Sequence, residues 1–152
     1  MRDKPYIGVI GASKTSPDVD KIAWQVGNGI AKQGGILVCG CLGGVMEAAC
    51  QGAKQAQGMT IGILPNLDRN EANPYVDIVI TTGLLEARNL IIVRTSDVLI
   101  AIGKGYGTLS EIAFALKMEK PVIGIETWNQ DLPIIPANNG QDAVNKAFEL
   151  LK

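Results

Sequence analysis

Short β-branched runs alternate along this chain with longer stretches whose apolar residues recur every three to four positions. Residues 6–10 form the first such run, which ends at Gly11-Ala12-Ser13. Ser16-Pro17-Asp18 then supplies an N-cap, a first-turn proline and a first-turn acid. Ile22, Val26 and Ile30 follow on one helical face, and Gly34-Gly35 stops the helix. The second strand is 36–39, running into Gly40, Gly43 and Gly44. An alanine-rich helix is predicted over 45–57, stopped by Gly58, and a third strand over 60–64, closed by Pro65. Residues 66–74 are polar and aperiodic and read as an excursion able to cover a site. Strands at 77–81, 98–102 and 122–125 then alternate with helices at 84–94 and 109–119. A loop at 128–140 and an amphipathic helix at 143–151 complete the chain.

Six short apolar strands alternating with helices predict one α/β domain over residues 1–152. The expected form is a Rossmann-like three-layer sandwich, with a mostly parallel sheet of six or seven strands covered on both faces. Ligands of such sheets sit at the carboxyl ends of the strands. Three glycine loops here fall at such ends: Gly11, Gly40 with Gly43 and Gly44, and Gly103 with Gly105 and Gly107.

The richest segment runs from Arg88 to Glu111. An apolar helical run carrying Arg88 and Arg94 leads through Asp97 into the strand 98–102. That strand opens into Gly103-Lys104-Gly105-Tyr106-Gly107, followed by Thr108, Ser110 and Glu111. Strand, glycine-rich turn and helix start together present free backbone N–H groups to an anion. Thr108 and Ser110 add hydroxyl donors and Lys104 a mobile charge, and Glu111 is expected in the first turn of the helix. Gly43 and Gly44 open a second helix in the same manner, and Gly11, Ala12 and Ser13 are a third candidate wall. That third loop does not complete G-x-G-x-x-G, and no acid follows the second strand to hold a ribose, so a dinucleotide cofactor is disfavoured.

Composition removes other functions. Of 152 residues 47% are apolar and 19% charged, with a net charge of −1 and no basic block. This favours a packed globule and speaks against electrostatic binding of nucleic acid or anionic membrane. No stretch has the length of a membrane span, and Arg2, Asp3 and Lys4 precede only a short apolar run, so a cytoplasmic protein is expected. There is no histidine, which excludes Ser-His-Asp and Cys-His catalysis. Cys39, Cys41 and Cys50 make neither a disulfide framework nor a zinc set, so no metal or resident cofactor is expected. The run around Leu84, Leu85, Leu90, Ile91 and Ile92 is too apolar for one buried stripe, which points to a homo-oligomer.

The pattern Arg88…Arg94…Asp97…Gly105-Tyr106-Gly107-Thr108…Glu111 resembles the signature of the LOG-like proteins, often labelled "possible lysine decarboxylase". Gly43-Gly44…Met46-Glu47-Ala48-Ala49…Gly52-Ala53 resembles the other glycine loop of that family. The resemblance runs to about Trp128 and is nearest the small branch that contains molybdenum cofactor carrier proteins. It implies a Rossmann-like homodimer or homotetramer that binds a phosphorylated small molecule, either a nucleoside 5′-monophosphate or molybdopterin. For the enzymes it implies hydrolysis of the N-glycosidic bond to free base and ribose 5-phosphate; for the carrier branch, binding without transformation. The family's catalytic pair falls on Arg88 and Glu111, 23 residues apart. Its ligand loops fall on Gly11, Ala12, Ser13, Gly43, Gly44, Met46, Lys104, Gly105, Tyr106, Gly107 and Thr108. Three places depart from the enzymes: Gly103-Lys104-Gly105 stands for Pro-Gly-Gly, Arg88-Asn89 for Arg-Lys, and Ser110-Glu111 for Glu-Glu. Decarboxylation finds no pyridoxal-type lysine context.

Overall fold

The computed structural model describes residues 3–129 and 131–152. Strands β1 (Tyr6–Gly11), β2 (Ile36–Cys39), β3 (Met59–Leu64), β4 (Ile78–Thr81), β5 (Val98–Ile102), β6 (Val122–Ile125) and β7 (Ile135–Pro136) form one sheet. Its order is β4-β3-β2-β1-β5-β6-β7, and every pairing is parallel. The chain builds outward from β1 to β4, then crosses back to lay β5 against the free side of β1. The direction of winding therefore reverses between β1 and β5, and the crevice at their carboxyl ends is where open α/β sheets take ligands.

Helices α1 (Pro17–Lys32), α2 (Val45–Gln55) and α5 (Gly140–Leu150) cover one face. They bury Ile7, Val9, Leu37, Ile100 and Ile102 beneath Val26, Ala49 and Val144. Helices α3 (Asn89–Thr95) and α4 (Tyr106–Lys117) cover the other, packing Ile92 and Ile112 on Ile10, Val38 and Leu99. The central strands are buried on both sides, which is why they read as unbroken apolar runs. Each large aliphatic side chain so buried contributes about 1.5–3 kcal/mol, so the rim loops hang from a stiff frame.

Four local features differ from the sequence expectation. The predicted helix 84–94 is split into a 3-10 turn, Leu85–Arg88, and α3. Helix α4 starts at Tyr106 rather than 109, because the helix takes in Gly107, a residue that reads as a breaker. Two residues of the predicted loop 128–140 pair beside β6 as the edge strand β7, with Ile123 opposite Ile135 and Gly124 opposite Pro136. A proline is tolerated there because nothing pairs beyond it. The other edge is incompletely covered: Ile78 and Ile80 of β4 are 43% and 46% exposed.

Candidate functional site

At the carboxyl ends of β1 and β5 lies a cavity of about 280 Å³. Among the residues singled out from the sequence, Gly11, Ala12, Ser13, Met46, Arg88, Gly105, Gly107, Thr108 and Glu111 line it together. Val9, Ile10, Gly40, Leu42 and Asn89 complete its wall. Gly44 lies in an adjoining depression, Lys104 in another, and Gly43 touches the carbonyl side of Ser13. Tyr106 points away: it is 85% exposed, its ring stacked on Trp128 with centroids 6.1 Å apart.

The floor is the start of α4. Gly105 is its N-cap and supplies no side chain to the first-turn N–H groups, so these donors are left for a ligand. Trp128 donates from Nε1 to the Gly105 carbonyl at 3.0 Å and fixes the loop. No sequence signal marked that tryptophan, which lies far along the chain in a stretch read as loop. Thr108 is buried, and its Oγ1 has no hydrogen-bond partner among the described residues.

Arg88 and Glu111 face the same cavity from α3's approach and from α4. The sequence expectation put Glu111 in the first turn; α4 has no acid there, and Glu111 sits one turn further in, 6% exposed. A role as a solvated complement to the helix dipole is thereby removed. Arg88 is equally buried, and its guanidinium lies against the Cα of Gly40: a Cβ built on that glycine would fall 1.9 Å from Nη1. The two do not form an ion pair; the salt bridges among the described residues are Lys54–Asp77 and Lys146–Asp142. Arg88 Nε and Glu111 Oε2 are both buried without partners among the described residues. Burial pushes the Glu111 carboxyl up to about 8, opposed by the charge of Arg88, so the acid is mostly protonated at neutral pH. Burial also lowers Arg88 from its ordinary value, again opposed by the charge of Glu111.

The residues beside this pair are joined to each other. Asn89 Nδ2 donates to Ser110 Oγ at 3.1 Å. Across the cavity, the loop after β2 is braced from an unexpected side. Asn73, in the stretch read as a cover, accepts nothing from the cavity but donates from Nδ2 to the carbonyls of Cys41 and Leu42 at 3.1 and 3.0 Å. Cys41 needs that support, since it holds a positive φ of 71°. Behind the loop the buried Cys39 and Cys50 sulfurs lie 3.4 Å apart as free thiols.

Comparison with known proteins agrees with this frame. The molybdenum cofactor binding protein of Rippkaea orientalis superposes with a TM-score of 0.94 at 40% identity, covering all of both chains. The molybdenum cofactor carrier protein of Chlamydomonas reinhardtii superposes at 0.87 with 39% identity, over 97% of this chain and 98% of that one. A cytokinin riboside 5′-monophosphate phosphoribohydrolase of Mycobacterium tuberculosis is 30% identical over 128 residues, 77% of this chain and 67% of the relative. The model of the SLOG cluster4 family matches residues 4–149, so the chain belongs to that LOG-like family.

Proposed function

We propose that this protein binds a phosphorylated small molecule of the nucleoside monophosphate or molybdopterin class at the β1–β5 rim and carries it unchanged. One observation carries the reading: Arg88 Nε, Thr108 Oγ1 and Glu111 Oε2 are buried around one cavity with no partner among the described residues. An unsatisfied buried polar group costs about 1–3 kcal/mol, and a ligand that meets all three recovers that cost. The phosphate would rest on the N–H groups at Gly107 and Thr108, with Arg88 as its counter-charge. The two relatives named for the molybdenum cofactor, at 39–40% identity over nearly the whole chain, support a carrier.

The retained Arg88 and Glu111 favour a second reading, hydrolysis of the N-glycosidic bond. Glu111, protonated, would give its proton to the base as the C1′–N bond breaks; water would add at the anomeric carbon and return a proton to the carboxylate, yielding ribose 5-phosphate. The neutral Asn89–Ser110 pair, where the enzymes carry Lys and Glu, weighs for the carrier. Chromatography of nucleoside 5′-monophosphates incubated with the protein separates the two. The carrier reading expects no free base, together with a raised melting temperature in ribose 5-phosphate. Base release by the wild type and not by Glu111→Gln would establish the hydrolase instead.

The same reading includes self-association as a dimer or tetramer. Ile78 and Ile80 on the open edge, with Leu67, Leu84 and Leu85 beyond it, are 43–86% exposed. Leu85 also holds a φ of 53° at the start of the turn that carries Arg88. A second copy seated there would cover that turn and steady the arginine. We place the protein's working site in such an assembly.

A further inference from the structure

The cavity holding the unpartnered groups is at the small end for a whole ligand. Its volume of about 280 Å³ falls below the roughly 300–1,000 Å³ usual for small-molecule sites. A phosphorylated sugar seated there would direct a fused heterocycle toward a neighbouring depression. Two depressions adjoin the cavity along the loop after β1. One, reached past Ala12, measures about 490 Å³ and presents the amines of Lys14 and Lys104 with no ring face. The other, reached past Ser13, measures about 580 Å³ and lies between α1 and α2. It presents Trp24 and Tyr75 together with Glu47 and Asp20.

The groups of this second depression differ in what they still have to offer. Trp24 Nε1 donates to Gln55 Oε1 at 2.8 Å, which fixes the indole and commits its N–H. Asp20 already accepts from the Thr15 hydroxyl. Glu47 has no hydrogen-bond or salt-bridge partner among the described residues, and Lys21, on the same wall, does not pair with it. Its Oε2 stands over Gly43, 4.0 Å from where a Cβ would be. It therefore offers two adjacent oxygens beside two aromatic side chains.

We propose, resting on the phosphorylated-ligand reading, that this depression seats the ligand's heterocycle and that Glu47 selects rings with two neighbouring N–H donors. That edge is the 2-amino-4-oxopyrimidine shared by guanine and pterins. Its ring N–H and exocyclic amine present two parallel donors to the two oxygens of one carboxylate. Adenine places an acceptor beside its amine, and hypoxanthine lacks the amine. Each would leave a charged acceptor short of one bond, a loss of about tenfold to a hundredfold in affinity.

Calorimetric titration with GMP, IMP, AMP, a pterin monophosphate and ribose 5-phosphate tests this on the full chain. The wild type should bind GMP or the pterin monophosphate at least about tenfold more tightly than IMP or AMP. The stronger of the two then identifies the ring. Glu47→Gln should bring GMP down to the level of IMP and leave ribose 5-phosphate unchanged, which also shows that the variant is folded. Trp24→Leu should weaken all ring-bearing ligands alike. No preference among the rings in the wild type, or an unaltered preference in Glu47→Gln, overturns the proposal while ribose 5-phosphate still binds. If no phosphorylated probe binds at all, the underlying reading falls and this one with it.

Discussion

Asn89 and Ser110 are hydrogen-bonded to each other at 3.1 Å, one residue beyond Arg88 and one before Glu111. Ser110 Oγ in turn donates to the Gly107 carbonyl at 2.6 Å, so the pair also ties α3 to the glycine loop. These are the two places where the enzymes that the sequence resembles carry Lys and Glu. In this chain the two positions form one neutral pair. Asn89→Lys alone would bury an ammonium at a position 6% exposed, and Ser110→Glu alone would set a carboxylate at a half-buried one, each without the other's charge. Both singles should destabilise, and the double variant should recover about 0.5–3 kcal/mol of the summed loss in urea unfolding. Additive losses would mean that the two positions are independent.

Glu111 makes stability depend on pH in a direction opposite to an ordinary surface acid. In the unfolded chain it releases its proton near 4.5, and in the folded chain near 8. Between these values the folded form holds the extra proton, so stability falls as pH rises, by at most about 1.4 kcal/mol per pH unit, and levels off above 8. Glu111→Gln keeps the shape and removes the titration. Its urea midpoint should change less than that of the wild type between pH 5 and 8.5, and should exceed it at the upper end. Parallel curves would show that the carboxyl does not titrate in this window.

The strands of the sheet were legible because burial on both faces leaves an unbroken apolar run: β2, β5 and β6 begin and end where their side chains predict. The glycine loops were legible as a rim because each follows a strand. The depth of Glu111 was not. Sequence places it near a glycine turn, but whether that turn precedes or belongs to the helix is set by Gly105 as N-cap, held by Trp128. The role of Gly40 was equally hidden, since what excludes a side chain there is Arg88, 48 residues away. Asn73 looked like part of a cover because its partners, the Cys41 and Leu42 carbonyls, are backbone atoms that carry no sequence signature.

Two glycines of one loop should respond differently to alanine. A Cβ at Gly40 meets the guanidinium of Arg88, the far end of a flexible side chain. Gly40→Ala should therefore push Arg88 aside and weaken ribose 5-phosphate binding at least about tenfold, while costing little in melting temperature. At Gly44 a Cβ would lie 2.3 Å from the Ala12 carbonyl oxygen, on backbone with φ of 62°. Gly44→Ala has no side chain to displace and should destabilise by more than about 1 kcal/mol. Equal melting temperatures for the two variants would contradict this division.

The open sheet edge gives a test of assembly. Ile78 and Ile80 project from the same side of β4, and the strand's outer N–H and C=O groups have no neighbour in the sheet order. An apolar edge left bare, even one of four residues, offers a surface for pairing with another chain. Ile80→Glu changes a residue 46% exposed in the single chain, so the fold itself should lose no more than about 0.5 kcal/mol. Light scattering should find the wild type at a multiple of 16.1 kDa and the variant at smaller mass. The variant should also bind ribose 5-phosphate less tightly, because the turn Leu85–Arg88 would lose its cover. A wild type that is monomeric at every concentration would remove the second copy. A dissociated variant with unchanged binding would confine the partner's role to the edge, with Arg88 held by its own chain alone.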